Sequence, residues 1–299
     1  MSAQKASTEL RAPLKKMLRP TLSCDSAART LQELWIFPVA PETCNLGCTH
    51  CLYAASPKNR NPYRLSAPEL SGLLNQIEAL GAKPHFLFTG GEPTLHPELY
   101  DFLETLDTKG CSFQLMTNGT RIQERSADRL SKLAHLRKVQ ISLESTDPKI
   151  NDSIYGQGLH DRVLRAIETL REKGVPVTVA VTPMEVNEQE LAAIEALAAK
   201  KGADVKYISL YDLGAARENG LKPPREIPTG ESPIDAELMC DKGVAYSEGA
   251  FYPCPVLVKE ADKKLGATLE EALSPRSRQK VTQLRKSHSA CQVCLKGST

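Results

Sequence analysis

Two hydrophobic periods alternate along most of this chain. Short runs of apolar, β-branched and aromatic residues near 33–39, 85–89, 112–117, 138–143, 175–182 and 204–210 predict buried strands. Between them, the stretches near 66–80, 97–109, 121–134, 159–174 and 187–201 carry helical spacing. In the first of these, Leu70, Leu73, Leu74, Ile77 and Leu80 form one apolar stripe, and Ser66 with Glu69 makes a capping-box start. Gly110 and Gly174 sit where a left-handed residue would close a helix. Strand–helix alternation over six strands predicts an α/β fold with a parallel sheet and right-handed crossovers. In parallel barrels the chemistry sits at the carboxyl ends of the strands.

Two segments at such strand ends carry reactive groups. Cys44, Cys48 and Cys51 put three thiolates on one tight loop with the spacing C-x3-C-x2-C, just after the apolar run Leu34 to Val39. Soft thiolate ligands select iron–sulfur clusters or zinc. Structural zinc would want a fourth nearby ligand to close its tetrahedron, whereas a 4Fe–4S cluster on three cysteines leaves one iron open. The second segment, Phe86-Leu87-Phe88-Thr89-Gly90-Gly91-Glu92-Pro93, is an apolar strand running into two glycines and a carboxylate. Paired glycines there allow close approach of a ligand to the backbone, and Pro93 ends the strand. The Glu92 carboxylate is of a kind that holds an ammonium group.

Together the two segments resemble the radical S-adenosylmethionine superfamily, and the pair in this order is far more specific than either motif alone. The resemblance implies a partial (β/α)6 TIM-like barrel, whose strand count the chain matches. It implies a 4Fe–4S cluster on Cys44, Cys48 and Cys51 whose open iron binds the amino and carboxylate groups of S-adenosyl-L-methionine. Gly90, Gly91 and Glu92 would grip the amino group of the methionine moiety. An electron from a flavodoxin or ferredoxin would cleave the sulfonium bond, and the resulting deoxyadenosyl radical would take hydrogen from a substrate C–H bond. Ser142 and Glu144 close the fourth strand, where the family places a polar residue on the ribose or carboxylate of the cofactor. Asn118 is a further candidate, although Asn118-Gly119 is also a plain turn signal. His50 stands at the family's aromatic position near adenine, with a solvent-facing histidine as the alternative. The family's G-x-I-x-G-x-x-E pattern has no match in Val177 to Pro183, so no adenine contact is assigned there. Arg162, Tyr155 and Glu144 are open choices for a base, should an alcohol be oxidised.

The barrel is expected over 33–211, after an N-terminal extension over 1–32. Lys5, Arg11, Lys15, Lys16 and Arg19 make that extension basic, and it reads as a solvated segment or as a substrate- or partner-contacting arm. Residues 212–237 are rich in proline and glycine and read as a linker. Within them, Leu213-Gly214-Ala215-Ala216-Arg217 loosely resembles a glycine–arginine–alanine segment of cluster-extended family members. A small Cys-rich domain is expected over 238–299, with Cys240 and Cys254 flanking a hairpin turn at Gly249, and Cys291 and Cys294 as C-x2-C. Zinc ribbons usually pair C-x2-C with C-x2-C, and the first pair here is too open. The pattern resembles the twitch extension, a shorter relative of the SPASM domain, and implies a second 4Fe–4S cluster, with structural zinc as the alternative. A cluster saturated by four cysteines would move an electron and not bind substrate. The resemblance therefore implies a net oxidation of a small molecule, as expected of twitch dehydrogenases acting on aminocyclitol alcohols. A maturase that crosslinks, thioether-links or epimerises a peptide is the alternative, and a non-enzymatic zinc or cluster module is a third.

Composition adds limits. The 299 residues are 41% apolar and 25% charged, as in ordinary globular proteins, and the length suits one large domain with a small one. A net charge of +2 gives no nucleic-acid or acidic-membrane signal. No apolar run approaches the roughly 20 residues needed to span a bilayer, and no signal-peptide core is visible. Nine cysteines, seven of them in metal-like groups, fit a reducing cytoplasm better than a disulfide framework. The lone Cys24 and Cys111 read as small buried apolar residues. His85, His96, His135, His160 and His288 read as ordinary surface or loop histidines.

Overall fold

The alternating pattern folds as the sequence predicts, with β1 (Glu33–Ile36), α1 (Ala67–Ala79), β2 (His85–Phe88), α2 (Leu99–Thr108), β3 (Phe113–Thr117) and α3 (Glu124–Leu130) in succession. There follow β4 (Leu136–Ser142), α4 (Pro148–Tyr155), α5 (His160–Glu172), β5 (Val177–Val181), α6 (Leu191–Lys200) and β6 (Asp204–Tyr207). The structure, a computed structural model, describes residues 31–225 and 239–297. Cys24, the basic residues of the N-terminal extension, residues 226–237 of the expected linker and residue 238 of the expected Cys-rich domain lie outside the described residues. Ser66 and Glu69 form the capping box, and Gly110 (φ 70°) and Gly174 (φ 75°) take the left-handed conformation after α2 and α5. The helix α4 was not among the expected elements. Asp147 starts it by accepting from the Lys149 amide at 2.7 Å, with Pro148 in the first turn.

Strands β1 to β6 pair in parallel in sequence order. The C-terminal region adds α7 (Gly214–Glu218), α8 (Met239–Lys242), the hairpin β7 (Gly243–Ser247) and β8 (Ala250–Tyr252), and the helices α9 (Leu269–Leu273), α10 (Pro275–Ser287) and α11 (Ser289–Gly297). The hairpin turns at Glu248 (φ 49°) and Gly249 (φ 74°), both left-handed, as a two-residue turn of this type requires. Strand β7 pairs in parallel with β1, so the hairpin continues the barrel sheet in the order β6-β5-β4-β3-β2-β1-β7-β8. No helix among the described residues is long and apolar enough to cross a membrane.

Side chains on a strand alternate between faces. Phe86, Phe88, Leu115, Val139, Ile141 and Val179 point outward and form the main core with Leu73, Leu103, Ile167 and other helix residues. The opposite face lines the barrel lumen. Trp35 and Leu87 there join a small apolar cluster, but Gln114, Lys138, Gln140 and Lys206 also line the lumen. Barrel interiors are usually filled with branched apolar side chains, and these polar ones leave an open cavity instead.

Three of the histidines, His85, His96 and His160, differ from expectation. His85 begins β2 on its lumen face, half-buried, with Nδ1 2.9 Å from Ser112 Oγ and Nε2 3.4 Å from Gln114 Oε1. His96 is 3% exposed and stacks on Phe102, and His160 is 6% exposed. The even spacing of His85 with Leu87 and Thr89 is what turns it inward. His135 and His288 pair with Asp107 and Glu260. Cys111 packs, partly buried, against the main core.

Candidate active site

A cavity of about 500 Å³ runs from the carboxyl ends of the strands down the lumen. Cys44, Cys48, Cys51, His50, Gly90, Gly91, Glu92, Asn118, Ser142 and Glu144, all the barrel residues marked from the sequence as cluster or cofactor contacts, line this one cavity.

The cysteine loop is docked onto the glycine pair by backbone packing. A Cβ on Gly91 would lie 1.9 Å from Thr43 O, and the next amide, Glu92 N, donates to Thr43 O at 2.9 Å. The close approach that the glycines permit is therefore to the loop that carries Cys44. Glu92 itself is fully buried. Its carboxylate accepts from Thr94 N at 3.0 Å, Thr94 Oγ1 at 2.6 Å, Thr117 Oγ1 at 2.6 Å and Asn118 N at 2.8 Å. Those bonds tie the end of β2 to the end of β3. Asn118 is likewise engaged: its amide donates to Asn45 Oδ1 at 3.0 Å and accepts from Thr120 N at 3.0 Å and Thr120 Oγ1 at 2.7 Å.

From the other side α7 closes over the loop. Ala215 N donates to Cys51 O at 2.9 Å and Asn219 Nδ2 to Thr49 O at 3.0 Å. Gly214 (φ 51°) permits this, since a Cβ there would stand 2.4 Å from Leu52 O. A stretch that reads as linker thus folds into a short helix on the cysteine loop, and its one sequence signal was the Gly-Ala-Ala-Arg run.

The donor chemistry around the sulfurs fits a metal cluster. The amides of Leu46 and Ala55 donate to Cys44 Sγ at 3.3 Å and to Cys51 Sγ at 3.4 Å. Burial pushes the Cys44 thiol up to about 12 against that Leu46 bond, and burial together with the charges of Cys51 and Cys44 pushes Cys48 well up. The Cys44 and Cys48 thiols, held up in this way, keep their protons until a cation replaces them, and the Leu46 and Ala55 amides are placed to meet charge on the sulfurs. Among the described residues no three His, Cys, Asp or Glu side chains converge on a single ion-sized point, so the fit rests on this donor chemistry.

Across the cavity, Glu144 is 1% exposed and accepts from Tyr155 Oη and Thr182 N, each at 2.7 Å. His50 Nε2 stands 3.5 Å from Glu144 Oε1, while His50 Nδ1 is buried without a partner. Burial lowers His50 to about 4 and raises Glu144 to about 7, the latter opposed by its two hydrogen bonds. At neutral pH the imidazole is uncharged, so this contact is not a full ion pair. Of the three candidate bases, Glu144 and Tyr155 line the cavity; Arg162 is exposed on α5.

The raised Glu144 sets a pH dependence of stability. The folded state holds this proton up to about 7, and the unfolded chain releases it near 4.5. Between those values the folded state binds more protons, so stability falls as pH rises. The loss totals about 3 kcal/mol and levels off above pH ~7. Glu144→Gln removes it, and denaturant unfolding should show the variant gaining on wild type by that amount across the window. A difference that stays flat would mean an ordinary carboxyl.

The second cysteine group assembles beside this cavity. Cys240 on α8, Cys254 after β8, and Cys291 and Cys294 one turn apart on α11 surround one small pocket with Val256 and Leu257. Burial first, then the charges of Cys240 and Cys294, raise the Cys254 and Cys291 thiols, the latter to about 11. Arg285 donates to Cys240 Sγ through Nε at 3.2 Å and Nη2 at 3.0 Å. Cys294 also lines the main cavity, with Tyr211 Oη 3.0 Å from its sulfur. Tyr53, two residues past Cys51, donates to Pro255 O at 2.9 Å, which ties the two cysteine regions together.

A parallel α/β barrel with three loop thiols and a glycine pair around one cavity is the architecture of a cluster-dependent enzyme. The family model described as the Radical SAM superfamily matches residues 40–198, and the chain belongs to that superfamily. Its cofactors are a 4Fe–4S cluster and S-adenosyl-L-methionine. Mycofactocin maturase MftC of Mycolicibacterium smegmatis (strain ATCC 700084 / mc(2)155) is 30% identical over 186 residues, covering 61% of this chain and 46% of that protein. The chain spans about half the length of the curated relatives it matches. Streptococcus suis SuiB bound to S-adenosylmethionine superposes with a TM-score of 0.67 at 16% identity, covering 89% of this chain and 71% of that one. SuiB bound to precursor peptide SuiA gives 0.66 at 15% identity, covering 88% and 70%. These likenesses to solved structures establish the fold.

Proposed function

We propose that this chain cleaves S-adenosyl-L-methionine reductively and takes hydrogen from a substrate C–H bond in the barrel lumen, in a net oxidation. The observation that carries the reading is the meeting of Cys44, Cys48 and Cys51 with Gly90 and Gly91 in one cavity at the carboxyl ends of the strands. The three cysteines would hold the cluster. When bound, cluster and S-adenosylmethionine supply a deoxyadenosyl radical, and the cofactors carry that hard chemistry. The chain's own work is placement. Because the Glu92 carboxylate is occupied by four donors, the backbone of Gly90 and Gly91 is the part of that segment suited to the methionine amino group. The unpartnered Nδ1 of His50 offers adenine a hydrogen bond, and Ser142 offers one to the ribose or carboxylate. Glu144, with a pKa of about 7 and Tyr155 on its oxygen, is suited to accept a proton from the substrate.

Cys240, Cys254, Cys291 and Cys294 would hold a second 4Fe–4S cluster, which supplies an electron acceptor, while a flavodoxin or ferredoxin in the cytoplasm supplies the first electron. A peptide substrate is the second reading, favoured by the likeness to a maturase and to the fold of a protein solved with its precursor peptide. Incubating the reconstituted enzyme with candidate alcohols and peptides tests the reaction. The reading expects deoxyadenosine together with a product lighter by a hydrogen pair. Deoxyadenosine with a product of unchanged mass, as in epimerisation, would contradict a net oxidation.

A further inference from the structure

The pocket bounded by Cys240, Cys254, Cys291 and Cys294 has a lopsided lining. Met239, Val256, Leu257 and Ala290 make its wall apolar, and among the described residues Arg285 is the one charged side chain on it. Arg285 stands in the last turn of α10, and its guanidinium reaches across to Cys240 on α8. Nε and Nη2 both donate to Cys240 Sγ, at 3.2 and 3.0 Å, so the fork closes on a single sulfur. Asp241 Oδ1 accepts from the same Nη2 and holds the guanidinium in place. Tyr211 Oη, 3.0 Å from Cys294 Sγ, is a neutral partner by comparison.

The neighbouring carboxylate does not cancel this charge at the pocket. The Arg285 side chain is 26% exposed and that of Asp241 53%, so water screens the carboxylate more. Arg285 also lines the pocket, and Asp241 does not. Reduction of an iron–sulfur cluster adds negative charge to its iron and thiolates. Hydrogen bonds and positive charge at a ligand sulfur stabilise that reduced form and raise the potential, whereas a dry apolar wall lowers it. The Arg285 fork is the group placed to offset the apolar wall.

We propose that Arg285 is a positioning residue for electron transfer: its fork on Cys240 raises the reduction potential of the cluster held by the C-terminal quartet, which makes that cluster a competent acceptor. This rests on the net-oxidation reading above and names the side chain that sets the acceptor. In that reading the substrate gives a hydrogen atom to the deoxyadenosyl radical. The substrate radical is then oxidised by one electron, the quartet's cluster is reduced by one, and the proton goes to Glu144.

A potentiometric titration followed by electron paramagnetic resonance tests this without turnover. Reconstituted full-length Cys44→Ala is the background, so that the signal comes from the quartet. Adding Arg285→Met should shift the one-electron reduction equilibrium about tenfold toward the oxidised form, a potential about 59 mV lower, with the iron content held. Arg285→Lys keeps the charge without the fork and should shift it about threefold. Lys286→Met, which removes an exposed charge one residue on, should stay within about twofold of the background. Gln292 Nε2 donates to the backbone oxygen of Arg285 at 2.9 Å, so no side-chain variant removes that tie between α10 and α11. Iron retained with the potential unmoved in Arg285→Met would overturn the proposal, as would an equal shift in Lys286→Met. Should Arg285→Met lose its iron, Arg285→Lys decides: the threefold shift supports the fork, and no shift overturns it. A Cys44→Ala background without iron would instead overturn the second cluster itself, so the two failures are distinct.

Discussion

Gly91→Ala will empty the cluster site while leaving most of the barrel folded. The added methyl group would lie 1.9 Å from Thr43 O, 2.5 Å from Thr43 C and 3.0 Å from Pro41 O. These are backbone atoms, so no side-chain rotation relieves the clash. The loop must lift, the bond from Glu92 N to Thr43 O must break, and Cys44 moves with it. Overpacking of this kind costs about 1–3 kcal/mol, less than the roughly 5–15 kcal/mol by which folded domains are stable. The effect on function is larger, because a displacement of about 1 Å at a reacting centre can cost 100-fold in rate. Reconstituted Gly91→Ala should therefore keep its cooperative melt, lose its loop-bound iron and lose S-adenosylmethionine cleavage by about 100-fold or more. Normal iron content in this variant would mean that the loop is not held by this contact.

Glu92→Ala will be the more damaging change to the fold. Removing the carboxylate leaves Thr94 N and Asn118 N without acceptors in a fully buried site and strands the hydroxyls of Thr94 and Thr117. Each hydrogen bond to a charged group is worth more than a neutral one, and orphaned donors add their desolvation cost, so about 4 kcal/mol is expected. Glu92→Gln keeps one acceptor oxygen but turns a donor toward one of those partners, and should cost about half as much. Denaturant unfolding of both variants, beside their affinity for S-adenosylmethionine, separates two roles for this residue. The structural tie predicts a graded loss of stability. An unchanged unfolding curve with weakened cofactor binding would instead return the carboxylate to the methionine ammonium, as the bare sequence suggests.

The difference over Glu92 illustrates what the sequence can carry. Strands and helices were legible because Phe86, Phe88, Val139 and Ile141 repeat at strand period, and Leu70, Leu73, Leu74 and Ile77 at helix period. Motifs with fixed spacing, such as the cysteine loop and the glycine pair, were legible for the same local reason. What a side chain does once the ends of β2 and β3 lie side by side was not, because Thr117 and Asn118 reach Glu92 from 25 and 26 residues away. The lumen lysines were hidden in the same way. Lys138 and Lys206 sit at the start of one apolar run and inside another, and only the closing of the sheet brings them into one cavity with Cys44. His85 looked like a loop histidine until its even spacing with Leu87 was set on the lumen face. The pairing of β7 with β1 joins residues more than two hundred positions apart, and no local pattern announces it. The helix α4 is a different case: Asp147-Pro148 is a local start signal that was there to be read.

The most direct test is anaerobic reconstitution of wild type and Cys44→Ala, with iron and sulfide counted and S-adenosylmethionine cleavage followed under a chemical reductant. The account predicts about eight irons per chain in wild type, two cubane clusters, with reductive cleavage to deoxyadenosine. In Cys44→Ala about four irons should remain on the C-terminal quartet, and cleavage should be lost. Cleavage that persists in Cys44→Ala, with its iron undiminished, would contradict the account.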